Sequence, residues 1–273
     1  MTRQLTKDTT LCMSLAARPS NFGTRFHNYL YEALGLDYIY KAFTTTDLSA
    51  AIGGVRALGV RGCAISMPFK EAVIPMVDEL DTSVKAIDSV NTIVNTNGYL
   101  KAYNTDYIAI RDLLKQHQVN PEFRFVLRGS GGMAKAVAAA LKNSGFEHGT
   151  IIARNEATGR KLADLYGYEW QPDLTSLEAE LIINVTPIGM SGSATATEIA
   201  FPQFMIENAK VVFDVVAMPV ETPLILAAKL AKKQVITGAE VFAIQAVEQF
   251  ALYTGHRPDD ETFRKAAEHA RAV

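Results

Sequence analysis

Val126-Leu127-Arg128-Gly129-Ser130-Gly131-Gly132-Met133-Ala134 is the junction from which the fold can be read. The largely apolar run Phe123 to Leu127 ends in a glycine-rich turn, and an alanine-rich helical pattern, Met133 to Leu141, follows at once. A strand, a tight turn and a helix N-terminus in that order make an anion site. The free backbone N–H groups and the positive end of the helix dipole both face the turn. Gly129 suits a turn conformation closed to larger residues. Gly131 and Gly132 suit close approach of the backbone to a pyrophosphate and close packing of helix on strand. A bare tight turn has a similar glycine pattern, but the flanking strand and helix favour a dinucleotide.

The patterns on either side predict an α/β protein. Leu11 to Leu15, Tyr38 to Phe43 and Gly62 to Met67 read as strands, the last ended by Pro68. Phe22, Phe26, Leu30 and Ala33 recur at helical spacing between the first two, and Asp47 is placed to cap a second helix carrying Leu48, Ile52 and Val55. This β-α-β-α-β alternation implies a parallel sheet. Thr92 to Asn95 and Tyr99 to Ala102 flank Asn97-Gly98, a hairpin signal that adds an antiparallel piece. Asp106 to His117 reads as a helix and Val119 to Glu122 as a break. Strands are then expected at Phe123 to Leu127, Thr150 to Ala153, Glu180 to Asn184, Lys210 to Val215 and Gln234 to Ile236, as in a doubly wound nucleotide-binding domain. Gly192 to Thr197 is the most loop-like segment, and the tail, Ala239 to Thr254 and Asp259 to Ala272, is helical.

The 273 residues suffice for one large domain or two ordinary ones, and 48% hydrophobic with 21% charged content befits a chain with a proper core. A net charge of −2 provides no field for nucleic acid or an anionic membrane, so neither is an expected partner. No apolar stretch is long enough to span a bilayer, and Met1 to Asp8 has no apolar signal core, which makes the cytoplasm the expected compartment. Cys12 and Cys63 lie in mostly apolar runs and read as buried free thiols. The five histidines are scattered, and no HExxH or paired CxxC implies a metal.

Four clusters carry potential chemistry. Lys70, in Ser66-Met67-Pro68-Phe69-Lys70, lies just beyond a strand end, where parallel sheets place ligands, although a solvated surface lysine fits equally. Asn91 can donate and accept, or simply shape a turn. Asp106, after Tyr103-Asn104-Thr105, also fits a helix cap or first-turn acid. Gln245 on the apolar helix Val241 to Phe250 also fits a residue that faces solvent or satisfies buried backbone.

Taken in order, these clusters resemble the shikimate dehydrogenase superfamily, and more closely its shikimate dehydrogenase-like branch. The resemblance runs from about Leu11 to about Gly255. It rests on Phe26-His27-Asn28, Met67-Pro68-Phe69-Lys70, Val90-Asn91-Thr92, Tyr103-Asn104-Thr105-Asp106, Gly129 to Ala134 and Asn184-Val185-Thr186-Pro187-Ile188-Gly189-Met190. Asp214, Pro219, Thr222, Pro223, Gln245, Phe250 and Thr254-Gly255 complete it. It implies two domains: residues 1–106 with 240–273 for substrate and catalysis, and a Rossmann domain over 107–239, with the active site in the cleft between them. The implied reaction is reversible hydride transfer between NADP(H) and a ring carbon of shikimate or 3-dehydroshikimate, as in aromatic amino acid biosynthesis. By position, Lys70 and Asp106 form the catalytic pair, while Asn91 and Gln245 meet ring hydroxyls. Gly129, Ser130, Gly131, Gly132, Met133, Ala134, Arg154, Asn155, Thr186, Val215 and Gly238 fall on the cofactor. Losing hydride from an alcohol also releases a proton, which a lysine accepts best when its pKa lies near the working pH. Desolvation lowers a lysine pKa and a neighbouring carboxylate raises it, so the sequence leaves open which of the pair carries the proton. A monomer or a homodimer is expected.

The departures from the family pattern concern the substrate. Two serines that hold the substrate carboxylate align with Asn21 and Gly23, and Thr24 replaces a proline; Asn21, Ser20 or Thr24 remains to donate. Ala64 and Ser66 replace an asparagine and a threonine, and Ala217 replaces a tyrosine. Each lost hydroxyl or amide removes a hydrogen bond worth about 0.5–1.5 kcal/mol. Weak turnover of shikimate is therefore expected, with quinate or an aminoshikimate as competing ring polyol carboxylates and a catalytically inactive NADP- or metabolite-sensing module as the other class. Arg154 in Ala153-Arg154-Asn155 suits a 2′-phosphate and favours NADP over NAD. The family's second arginine aligns with Thr158, and Arg160 is either its substitute or a solvated helix residue.

Overall fold

A computed structural model describes residues 5–85, 87–174 and 177–271; residues 1–4 of the segment Met1 to Asp8 and Ala272 of the last expected helix lie outside these. The chain divides into two compact units, Met1–Thr105 with Gln245–Val273 and Asp106–Ile244. The first unit holds β1 (Thr10–Leu15), α1 (Phe22–Ala33), β2 (Tyr38–Phe43), α2 (Leu48–Ala57), β3 (Gly62–Ile65), a 3-10 turn (Ile74–Met76), β4 (Glu79–Leu80), α3 (Thr82–Lys85), β5 (Thr92–Thr96) and β6 (Tyr99–Tyr103). Its sheet runs β2-β1-β3-β5-β6-β4, with β1 parallel to β2 and β3, and β5 antiparallel to β3 and β6. The expected hairpin forms on a two-residue loop in which Asn97 and Gly98 both have positive φ, 54° and 86°, the twist that such a turn requires. β3 stops at Ile65 rather than Met67, because the Ser66 carbonyl already accepts from Phe69 N in a turn.

The second unit begins within α4 (Thr105–Gln116) and continues through β7 (Phe125–Arg128), α5 (Gly132–Asn143), β8 (Gly149–Ile152), α6 (Glu156–Tyr166), β9 (Glu169–Gln171), β10 (Leu181–Asn184), α7 (Gln203–Asn208), β11 (Val211–Asp214), α8 (Pro223–Leu230) and β12 (Gln234–Thr237). The division falls inside α9 (Gly238–Thr254), and α10 (Asp260–Arg271) completes the first unit. The six strands are all parallel in the order β12-β11-β10-β7-β8-β9, so the strand order reverses between β7 and β10. Three-residue β9, an edge strand too short for a periodic signal, was not expected from the sequence. β7 starts at Phe125 rather than Phe123, whose N–H closes a turn on Asn120. No helix among the described residues is long and apolar enough to cross a membrane.

Alternation along β1 builds both cores of the first unit. Met13 and Leu15 pack with Ile52 and Val55 of α2 and with Ile65, Ile93 and Leu100. Cys12 faces the other way, among Phe26, Leu30 and Tyr31 of α1, Tyr40, Phe250 and Tyr253 of α9, and Ala266 of α10. Each such large apolar side chain contributes about 1.5–3 kcal/mol by leaving water. Gly62 is required here, because a Cβ at that position would overlap the Tyr253 ring. Both cysteines are buried and free, and burial pushes the Cys12 thiol up to about 11.

His27 sits inside this second core, 2% exposed, stacked on Tyr40 with 4.4 Å between ring centroids. Its Nδ1 has no hydrogen-bond partner among the described residues. Burial depresses its pKa to about 3, partly countered by a hydrogen bond with Gln249. The folded pKa lies below the ordinary value of 6.5, so this contribution to stability is present above pH 6.5 and is lost as pH falls toward 3. At about 1.4 kcal/mol per pH unit, the loss amounts to a few kcal/mol. Thermal melts from pH 7 to pH 4 should therefore show a steep fall in Tm, and His27→Phe should flatten that fall. An unchanged slope in the variant would contradict this account of the core.

Candidate active site

In the first unit the parallel strands β1 and β3 end at one edge of the sheet, and β5, being antiparallel to β3, begins there. The loops beyond these ends carry the residues expected at the substrate. Lys70 follows the cis Met67–Pro68 bond and is half-buried; its carbonyl accepts from Val90 N at 2.8 Å, which ties it to the segment carrying Asn91. Asn91 is 5% exposed and is the node of this edge. Its Oδ1 accepts from Thr92 Oγ1 at 2.8 Å and from Thr105 N at 2.9 Å, while its Nδ2 donates to Thr105 Oγ1 at 3.0 Å. The Thr105 hydroxyl lies 3.3 Å from Gln245 Oε1. Three segments thus converge on one buried hydrogen-bonded array. One Nδ2 proton of Asn91 and the Nε2 group of Gln245 are not used within this array.

Gln249, one helical turn beyond Gln245 and 6% exposed, donates from Nε2 to Thr92 Oγ1 at 2.9 Å. With Thr92 and Thr105 it belongs to the same array; the threonines stood in the sequence motifs Val90-Asn91-Thr92 and Tyr103-Asn104-Thr105-Asp106, whereas Gln249 was not singled out. A second glutamine at i+4 on an otherwise apolar helix was the available signal. Asn104 braces the same edge by donating from Nδ2 to the Ser89 carbonyl at 2.8 Å. Asp106 stands in the first turn of α4, where the helix dipole favours a carboxylate. Ser66 is exposed beyond β3 and uses its backbone N–H on Leu15. Asn21 is the exposed N-cap residue of α1 but makes no side-chain cap bond, so its carboxamide is not spent on the helix. Thr24 lies in the first turn of α1, and its carbonyl accepts from Asn28 Nδ2 at 2.7 Å. A Cβ at Gly23 would meet only Tyr40, at 3.4 Å, an ordinary contact.

The second unit has a cavity of about 860 Å³ at the C-terminal ends of β7, β8 and β10, beside the reversal of strand order. Such crevices are where open α/β sheets bind ligands. Gly129, Ser130, Gly131, Arg154, Asn155 and Thr186 line it. Gly129 has φ of +126°, and a Cβ there would also strike Val185 Cγ2 at 2.7 Å, so only glycine fits. Gly131 and Gly132 differ from expectation: a Cβ on either would meet nothing within 4 Å. They are not needed for packing helix on strand, and the space before them is open. Met133 and Ala134 form the first turn of α5, with Ala134 fully buried. Ser130 Oγ lies 2.8 Å from Thr158 Oγ1, which links the glycine turn to α6. Asn155 spends its Oδ1 as the N-cap of α6, accepting from Thr158 N at 3.0 Å.

Asn184 and Asp214, paired in register at the ends of β10 and β11, fix the loops beside this cavity. Asp214 is fully buried and accepts from Thr222 Oγ1 at 2.5 Å, Asn184 Nδ2 at 3.0 Å and Val216 N at 3.1 Å. Burial pushes its carboxyl up from the usual range and those three donors draw it back. Asn184 Oδ1 accepts from both Thr186 N and Thr186 Oγ1, which sets Thr186 at the cavity wall. Val215 donates its N–H to the Asn184 carbonyl. Gly238 is explained by packing, since a Cβ would collide with the Val215–Val216 backbone. Among the described residues no group of histidine, cysteine and carboxylate side chains could hold a metal.

The profile of the shikimate dehydrogenase substrate binding domain matches residues 22–93. A shikimate dehydrogenase-like protein of Haemophilus influenzae is 59% identical over 267 residues, 98% of each chain. The solved shikimate 5-dehydrogenase of Thermus thermophilus, in complex with NADP(H) and shikimate, superposes with a TM-score of 0.84 at 28% identity, covering 96% of this chain and 99% of that one. The quinate dehydrogenase of Corynebacterium glutamicum, in complex with NAD, gives 0.84 at 26% identity over 96% and 98%. With a relative this similar along nearly its whole length, the chain belongs to the shikimate dehydrogenase family.

Proposed function

We propose that this protein is an NADP-dependent dehydrogenase. On this reading it carries out reversible hydride transfer on shikimate and 3-dehydroshikimate or a closely related ring polyol carboxylate, with weak turnover of shikimate. The observation that carries the reading is the buried Asn91–Thr105–Gln245 array, which keeps donors for a polyhydroxylated ring at the sheet edge that also bears Lys70. The first unit serves the substrate and the second the dinucleotide.

The residues of the second unit suit that cofactor. The open space before Gly131 and Gly132 admits a pyrophosphate against the backbone, and Arg154 supplies a cation for a 2′-phosphate. Thr186 and Val215 stand at the strand ends beside it, while Asn155 acts by holding α6. When bound, the nicotinamide supplies the hydride acceptor or donor. The chain's part is to hold the ring and manage the proton. Asn91 Nδ2 and Gln245 Nε2 donate to ring hydroxyls. Asn21, Thr24 and Ser66 donate to the carboxylate in place of the family's paired serines. Lys70 and Asp106 take the proton released from the hydroxyl and return it in the reverse direction.

A sensing module that lost the chemistry has one observation in its favour, the missing hydroxyls at Asn21 and Gly23. Retention of Lys70, Asn91, Asp106 and Gln245 together favours the enzyme. The test is initial-rate reduction of NADP+, with NAD+ in parallel, against shikimate, quinate and an aminoshikimate. Turnover of at least one ring acid is expected, lost by about 10²-fold or more in Lys70→Ala. NADP+ binding without turnover of any ring acid would establish the sensor instead. Because Asn21 is exposed and a Cβ at Gly23 has room, the double variant Asn21→Ser/Gly23→Ser should fold normally. Two restored hydrogen bonds should lower its KM for shikimate by roughly tenfold. An unchanged KM would place the carboxylate elsewhere.

A further inference from the structure

The cavity of the second unit contains a cation that the sequence pattern did not single out. Arg128 is the last residue of β7, directly before the glycine turn, and its side chain lines the same cavity as Gly129–Gly131 and Arg154. The other candidates for a second phosphate contact are engaged elsewhere. Thr158 is hydrogen-bonded to Ser130. Arg160 pairs with Glu156 at 2.7 Å and lies over the Trp170 ring at 4.3 Å. Arg128 is anchored through one guanidinium nitrogen on the Ala200 carbonyl, which leaves the rest of its planar fork of donors for another acceptor. Its guanidinium is half-buried. Burial, then the nearby charge of Arg154, lowers its proton affinity, while Glu198 and Asp173 act in the opposite sense. Half-buried Arg128 and exposed Arg154 line the same cavity and repel, and the carboxylates of Glu198 and Asp173 act against that repulsion. A phosphate dianion between them removes it and satisfies both forks.

We propose that Arg128 is a specificity-determining residue that, together with Arg154, holds the 2′-phosphate of NADP(H). The proposal rests on the dinucleotide reading of this cavity. It replaces the helix-borne second arginine with one from the end of β7. Placing a fixed strand-end guanidinium there makes the preference a property of the sheet rather than of a surface side chain.

Binding of 2′,5′-ADP and of 5′-AMP to the full-length protein, measured by calorimetry, tests it without turnover. The wild type should bind 2′,5′-ADP about tenfold or more tighter than 5′-AMP. Arg128→Met, which keeps the apolar stem, should weaken 2′,5′-ADP by about tenfold and leave 5′-AMP within about twofold. Arg128→Lys should fall between, and it gives the same ratio should the methionine variant fail to fold. Equal weakening of both probes would make Arg128 merely structural. Tightening of both would mean that it blocks the pocket. A wild type that does not distinguish the probes overturns the NADP preference itself. A distinction that survives Arg128→Met and Arg128→Lys overturns only the role of Arg128.

Discussion

The buried Asp214 carboxylate and its partner Asn184 are the constraint on which the cavity end of the second unit depends. Parallel strands leave their last carbonyls and the following loops without ladder partners, so a strand end needs side chains to organise it. Asp214 gathers donors from three directions: the neighbouring strand, its own loop and the cap of α8. Asn184 turns the same pair toward Thr186. A buried carboxylate is costly unless it is satisfied in this way, and satisfying it sets the geometry of the loops after β10 and β11. The first unit solves the same problem with a neutral group. Asn91 binds the start of α4 through Thr105, and Gln245 and Gln249 join from α9. In both units the loops at these strand ends are held by buried side chains, a carboxylate with amides and hydroxyls in the second and amides with hydroxyls in the first.

These nodes also explain which features could be read from the chain alone. The glycine turn, the Asn97-Gly98 hairpin and the Asp47 cap are local: each residue acts on a neighbour within three or four positions, and each appears as expected. So does the reversal of strand order, because alternating strands and helices admit few arrangements. What escaped the sequence is long-range. Gln249 bonds to Thr92, 157 positions away, and its role exists only once α9 lies on the sheet. Gly62 and Gly238 are glycines for the sake of a distant ring and a distant backbone, with no local turn to announce them. Gly131 and Gly132 show the converse. Their sequence pattern matched both close approach to a pyrophosphate and packing of helix on strand, and the open space a Cβ would meet at either position removes the packing role alone.

The departures from the family pattern at Asn21, Gly23 and Ser66 lie outside the buried array of Asn91, Thr92, Thr105 and Gln249. Asn21 and Ser66 are exposed and lie outside the helices and strands, and half-buried Gly23, in the first turn of α1, has room for a Cβ, so all three can change at little cost to the core. Asn91, Thr92, Thr105 and Gln249 are buried and joined by hydrogen bonds, so a change at one strands a partner. On the proposed reading, a protein with this division keeps a scaffold for a hydroxylated ring and varies what it grips at the acid end. That is the physical basis for expecting a related ring polyol acid rather than an unrelated substrate.

The central claim is that the cavity beyond the glycine turn holds a dinucleotide. The most direct measurement is the fluorescence of NADPH titrated with the wild type and with Gly131→Val, a variant whose side chain enters space that no protein atom occupies. The account predicts saturable binding by the wild type, an unchanged melting temperature in the variant, and a loss of affinity of at least tenfold. Undiminished binding by a folded Gly131→Val protein would contradict it, because the pyrophosphate would then have to lie elsewhere.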